Sequence, residues 1–103
     1  MNGSEIFKNL CIFRESNQER GISPAELKKL GIRMEDLPTN SNDEISRTLY
    51  YGDDGYNVLE VYVSYDHSRT FELKPDTNHF YLTLFDTSNN EIQRKTFMTI
   101  DDM

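Results

Sequence analysis

The chain has 103 residues, a mass of 12.1 kDa, a net charge of −7 and an isoelectric point near 4.7. This length predicts one domain over residues 1–103, and the surplus of carboxylates repels phosphate backbones, which argues against direct nucleic-acid binding. The longest apolar run, Leu10–Phe13, is far shorter than the ~20 residues that cross a bilayer.

The cysteine content and the first residues bear on location. Cys11 is the sole cysteine, so neither an intramolecular disulfide nor a cysteine-based zinc cluster can form, and we interpret Cys11 as a small reduced hydrophobe. The first turn carries Glu5 and Lys8 instead of a basic segment followed by a long apolar stretch. We therefore expect no secretory signal and a cytoplasmic protein.

Residues 1–37 form the predicted helical segment. Apolar residues recur there at spacings of three and four, which is typical of one helical face. The second of two short helices is predicted over residues 24–30, because Ser23 can cap it, Pro24 suits its first turn and Gly31 can end it. The first helix contains Ile6, Phe7, Leu10 and Cys11.

A cluster of turn formers at 38–42 separates this segment from a region of period two, predicted to be a sheet over 45–100. The connections between its strands are short, so consecutive strands should be antiparallel neighbours. The prediction is an α+β fold, with both helices packed on a curled antiparallel meander of about five strands. The predicted strands are 45–51, 56–65, 69–74, 79–85 and 91–100, joined by turns at 52–55, 66–68, 74–78 and 86–90.

The two faces of this sheet differ in composition. We assign Leu59, Val61 and Val63 to an apolar face, together with Phe80, Leu82 and Leu84. Large rings on the second face indicate partial cover, a strongly curled sheet or an exposed contact patch. Those rings are Tyr62, Tyr81 and Phe85.

Catalytic and metal-binding patterns are weak throughout the chain. His67 and His79 lie at opposite ends of the predicted strand 69–74, too far apart to share a metal ion. Asp66, His67 and Ser68 are adjacent, so their side chains cannot stack as a catalytic relay. We predict no catalytic residue, no metal and no cofactor, and find no constellation typical of an enzyme.

Acidic doublets at turns are the feature that points to a function. Asp53 and Asp54 form a predicted hairpin flanked by Tyr50, Tyr51 and Tyr56. In one interpretation these charges only keep the domain soluble. In the other, the carboxylates steer association with a basic protein surface and the rings anchor it.

The second interpretation predicts a non-enzymatic inhibitor or regulator that binds a basic macromolecular partner, for example a nucleic-acid-processing enzyme. Small acidic inhibitors and immunity proteins of bacteria and phages provide the analogy of class. The alternative is a structural or self-assembling module, in which Glu91–Ile100 or the first strand offers an open edge. The chain would then be a homodimer, whereas the docking protein can be a monomer.

Overall fold

The computed structural model describes residues 1–16, 23–64 and 77–100. Two helices, α1 (Gly3–Ser16) and α2 (Pro24–Lys29), precede five strands. The strands are β1 (Arg33–Leu37), β2 (Glu44–Tyr51), β3 (Asn57–Ser64), β4 (Thr77–Phe85) and β5 (Glu91–Ile100). They lie in the order β1-β2-β3-β4-β5 and all pair antiparallel, which confirms the predicted α+β meander.

Helix α2 begins and ends as its sequence predicts. The Ser23 hydroxyl accepts a hydrogen bond from the Glu26 N–H at 3.1 Å, and Pro24 occupies the first turn. Gly31 then takes φ +72°, a left-handed conformation that side chains disfavour, and turns the chain toward β1. Leu27 is the residue of α2 that enters the core.

Strand β1 corrects the predicted helical segment, because residues 33–37 pair with β2 as an edge strand. Met34 and Leu37 are three residues apart, a spacing that fits a helix, but pairing across the 38–43 connection decides the conformation. The turn formers at 38–42 thus join two strands. The predicted strand 69–74 and the turn at 66–68 lie outside the described residues, and β4 already includes residues 77 and 78 of the predicted turn 74–78.

The α1 face of the sheet carries the main core. Helix α1 lies chiefly across β4 and β3 and buries Ile6, Phe7, Leu10 and Cys11 against them. The sheet supplies Tyr50, Val58, Phe80, Leu82, Leu84 and Phe97 to the same cluster. No described helix is both long and apolar enough to cross a membrane.

The register between β3 and β4 corrects the predicted faces. Tyr62 pairs with Phe80 and Val58 pairs with Leu84, so the even-numbered residues of both strands share the α1 face. Leu59, Val61 and Val63 therefore lie on the far face, the one opposite α1, with Tyr81 and Phe85. Tyr62 packs beneath α1, with its ring edge-on to Phe80 at 4.2 Å between centroids.

Candidate functional site

The hairpin between β2 and β3, residues 52–56, contains the predicted site. Gly55 takes φ +82°, and its N–H donates to the Gly52 carbonyl at 3.2 Å. This geometry confirms the predicted turn at 52–55 and leaves the side chains of Asp53 and Asp54 exposed at its tip.

Helix α1 begins directly on this hairpin. The Asp54 carboxylate accepts hydrogen bonds from the Gly3 N–H at 3.0 Å and from the Tyr56 N–H at 3.2 Å. The Gly3 bond contributes most to lowering the pKa of Asp54. Asp54 therefore satisfies a free N–H of the helix while remaining charged near the positive end of the helix dipole.

The backbones of α1 and the hairpin approach so closely that only glycine fits between them. A Cβ on Gly3 would lie 2.4 Å from the Tyr56 carbonyl oxygen and 2.5 Å from the Tyr56 Cβ. The neighbouring Asn2 and Glu5 cap the helix reciprocally: the Glu5 N–H donates to the Asn2 side chain and the Asn2 N–H donates to the Glu5 carboxylate. These contacts fix the position of α1 relative to the hairpin.

Asp53 holds the start of the chain. Its carboxylate lies 2.5 Å from the Met1 amino group, and its backbone N–H donates to the Met1 carbonyl at 2.9 Å. The hydrogen bond that this amino group donates to the Asp53 carboxylate raises the pKa of the amine. The Asp53 side chain is nevertheless 73% exposed, so it still presents charge to solvent.

A second hairpin, residues 86–90 between β4 and β5, carries one carboxylate, Asp86, and lies beside the first. A Cβ on Gly55 would meet the Thr87 methyl at 3.1 Å, which shows how closely the two hairpins approach. The Asp86 carboxylate accepts hydrogen bonds from the Asn90 and Ser88 N–H groups at 2.9 Å each. These bonds, Asn90 first, lower the pKa of Asp86. We call the two hairpins together the acidic end of the sheet.

The structure separates the three predicted tyrosine anchors. Tyr50 is only 3% exposed and belongs to the core under α1, so its ring cannot serve as an exposed anchor. Tyr51 is half-buried on the far face, where its hydroxyl donates to the Glu35 carboxylate and Arg33 lies 5.4 Å from its ring centroid. Tyr56 is half-buried against the core cluster. Tyr51 and Tyr56 therefore remain accessible beside the hairpin.

A buried ion pair that sequence reasoning missed holds the other end of α1. Arg14 donates two hydrogen bonds to Glu60, at 2.7 and 2.9 Å, and both residues are about 95% buried. The Tyr50 hydroxyl donates to the same carboxylate at 3.2 Å, and burial raises the pKa of Tyr50. The Arg14 guanidinium also lies 4.0 Å from the Phe80 ring centroid. The charges of Arg14 and Glu60 therefore pair with each other inside the core, and the network has a structural role.

Two signals in the sequence could have revealed this pair. Glu60 interrupts the most apolar strand, and Arg14 continues the three-four spacing of the apolar stripe of α1. A charge at each inward-facing position indicates a buried pair, because a single buried charge would be very unfavourable.

Among residues 1–16, 23–64 and 77–100, no three His, Cys, Asp or Glu side chains come together in a group that could hold a metal ion. His79 is half-buried on the far face of β4. His67 lies outside the described residues, as do Asp66 and Ser68.

Comparison of the chain with protein-family models, with curated proteins and with solved structures found no match. The site is therefore interpreted from its own residues.

Proposed function

We propose that this protein is a non-enzymatic inhibitor or regulator that docks its acidic end on a basic surface of a macromolecular partner. The observation that carries the proposal is the juxtaposition, at one end of the sheet, of the hairpin with two adjacent carboxylates and the hairpin with one. Gly55 of the first hairpin nearly touches Thr87 of the second, so the turn that carries Asp53 and Asp54 lies beside the turn that carries Asp86. Glu5, in the first turn of α1, adds a further carboxylate at this end.

The charge at this end is held in place by backbone donors. Backbone N–H groups donate hydrogen bonds to the Asp54 and Asp86 carboxylates and lower the pKa of each. Both carboxylates therefore stay ionised well below neutral pH. Charges that are already oriented accelerate encounter with an oppositely charged surface, because little reorganisation is needed when the partner arrives.

Half-buried rings beside the carboxylates can provide the apolar part of the contact. Tyr51 and Tyr56 flank the hairpin, and Phe85 ends β4 at the same end of the sheet. Rings that are already packed on one side lose little conformational freedom on binding, which suits them as anchors. Tyr50 has no part in this surface because it is buried.

The partner is a protein with a basic surface, for which a nucleic-acid-processing enzyme is the best example, because its groove is built to attract phosphates. The analogy of class is with inhibitors and immunity proteins of bacteria and phages. We place the binding in the cytoplasm, where Cys11, buried and free in the structure, would stay reduced.

The test compares two double variants that remove the same charge. D53N/D54N removes two negative charges from the acidic end, and its side chain at position 54 keeps an oxygen that can accept the hydrogen bond of the Gly3 N–H. E35Q/D36N makes the same change on the exposed edge strand β1, and a glutamine side chain at position 35 keeps an oxygen that can accept the hydrogen bond of the Tyr51 hydroxyl. Partners are captured from an extract of the source cells with the wild-type protein and each variant, and association rates with the captured partner are then measured over a salt series.

We expect D53N/D54N to slow association by about threefold or more and to flatten its salt dependence, because steering depends on exposed charge. E35Q/D36N should retain the wild-type rate and slope. Equal rates for the wild-type protein and D53N/D54N would contradict docking through the acidic end.

A further inference from the structure

The two edges of the sheet carry opposite charges. Every residue from Arg33 to Asp36 on β1 and from Glu91 to Thr96 on β5 is exposed, and no described strand pairs with the outer side of either one. The middle of β1 carries the acidic pair Glu35 and Asp36, whereas the middle of β5 carries the basic pair Arg94 and Lys95. Charges on a single edge often only prevent aggregation, but opposite charges on two edges of one sheet are complementary.

The faces on which these charges lie also match. Glu35 and Arg94 lie on the far face. There the Glu35 carboxylate accepts a hydrogen bond from the Tyr51 hydroxyl, and the Arg94 guanidinium lies over the Tyr81 ring. Asp36 and Lys95 lie on the α1 face, since Lys95 pairs with Glu15 of α1 and Asp36 is in register with Thr48, opposite Glu60.

One register between the edges brings both pairs together. If Glu35 of one copy lies beside Arg94 of the next and the strands run parallel, Asp36 lies beside Lys95. An antiparallel pairing can also join opposite charges, with Glu35 beside Lys95 and Asp36 beside Arg94, but it turns the α1 faces of the two copies to opposite sides of the sheet and moves Met34 away from the α1 face of its neighbour. Within one copy β1 and β5 run in the same direction, because four antiparallel pairings separate them. Parallel pairing is therefore what side-by-side repetition of the same orientation produces.

A groove beside β5 provides an apolar socket in the same place. It has a volume of about 410 Å³ and lies between α1 and the last two strands, over Phe7, Cys11 and Leu84. Ile12 forms part of its wall and is 54% exposed. The parallel register sets Met34, which is 38% exposed on β1, beside Gln93 on the rim of this groove in the next copy.

We propose that the chain associates with itself head to tail, with β1 of one copy adding in parallel to β5 of the next and Met34 seated at the groove. The surfaces that meet are different, so the contact cannot form a closed two-fold dimer, and each copy that is added offers a further edge for the next one. The existing partners of Arg94 and Lys95 do not prevent it, since a guanidinium has five N–H donors and an ammonium three. The inference goes beyond the proposed function and leaves the acidic end free.

Charge-reversal variants test this contact by sedimentation velocity at protein concentrations from about 10 μM to about 1 mM, the range of weak edge contacts. The weight-average mass of the wild-type protein should rise steadily with concentration and fall with added salt. E35K/D36K makes the β1 edge basic, and R94E/K95E makes the β5 edge acidic. Each variant alone should associate about tenfold or more weakly, because attraction becomes repulsion at two contacts.

An equimolar mixture of the two variants should recover association, because each now meets the opposite charge. Recovery also shows that both variants are folded. Met34→Ala should weaken assembly of the wild-type sequence, whereas D53N/D54N, which changes only the acidic end, should leave it unchanged. A wild-type monomer at every concentration, a closed dimer, or a mixture that stays monomeric would overturn the proposal, and none of these results bears on docking through the acidic end.

Discussion

The two ends of helix α1 are held by contacts of opposite character. At the first turn, the exposed Asp54 carboxylate caps the helix and still faces solvent. At the last turn, Arg14 is buried with Glu60, and the two opposite charges pair with each other inside the molecule. An exposed contact can serve both the fold and a partner, whereas a buried one serves only the fold. The acidic end is therefore where a binding surface can be added without a loss of stability.

The largest difference between the ends should appear on removal of one buried partner. Arg14→Met leaves the Glu60 carboxylate buried without its cation, which should cost about 3–5 kcal/mol of unfolding free energy. The double variant R14M/E60L replaces both charges with apolar groups and should lose much less. Urea denaturation of the wild type and both variants measures these differences. Equal losses in the single and double variants would mean that packing, not the unpaired charge, sets the cost.

A smaller effect is expected at the start of α1, where steric fit is decisive. Gly3→Ala places a Cβ within 2.5 Å of the Tyr56 backbone and side chain, so the helix must move away from the hairpin. We expect a loss of about 1–3 kcal/mol, again measured in urea. Ser4→Ala, at the adjacent exposed position, is the control and should be close to neutral. A Gly3→Ala variant with the free energy of unfolding of the wild type would show that α1 is not held tightly against the hairpin.

The smallest effect should be visible only at acidic pH. The folded-state pKa of Asp54 is lowered, so its contribution is fully present above the unfolded-state pKa of about 3.9 and is lost as pH falls through the folded value. The melting temperature of the wild type should therefore decrease as the pH is lowered from about 4. Asp54→Asn should show a shallower decline, because the amide does not titrate, with the remaining slope arising partly from Asp86. If the melting temperatures of the wild type and of Asp54→Asn declined equally with pH, Asp54 could not be an ionised cap.

The features that were predicted correctly depend on neighbouring residues. The cap and stop of α2, the hairpins at 52–55 and 86–90, and the order of consecutive strands all follow from turn residues and short connections. Among the described strands, Glu91–Ile100 lies at an edge of the sheet, as predicted, because it is the last strand of the meander. The predicted first strand, 45–51, is not an edge, because β1 pairs with it.

The features that were missed depend on contacts between distant parts of the chain. Alternation shows that a strand has two faces, but the register with the next strand decides which faces coincide, and here Tyr62 joined Phe80 instead of Tyr81. Tyr50 was expected at the surface because it precedes an acidic turn, yet α1 covers it. Asp54 was expected to act only as exposed surface charge, for solubility or for a partner. Its hydrogen bond from the Gly3 N–H spans 51 residues of sequence, which no local pattern reveals.

The separation in sequence between α1 and its supports has a consequence for synthesis on the ribosome. The apolar stripe of α1, with Ile6, Phe7 and Leu10, emerges before the strands that cover it, because β3 and β4 are complete only at residue 85. The Glu60 carboxylate that neutralises Arg14 also arrives late. A nascent chain therefore carries an uncovered apolar segment until the fourth strand leaves the exit tunnel, and this exposes the segment to chaperones and to premature association.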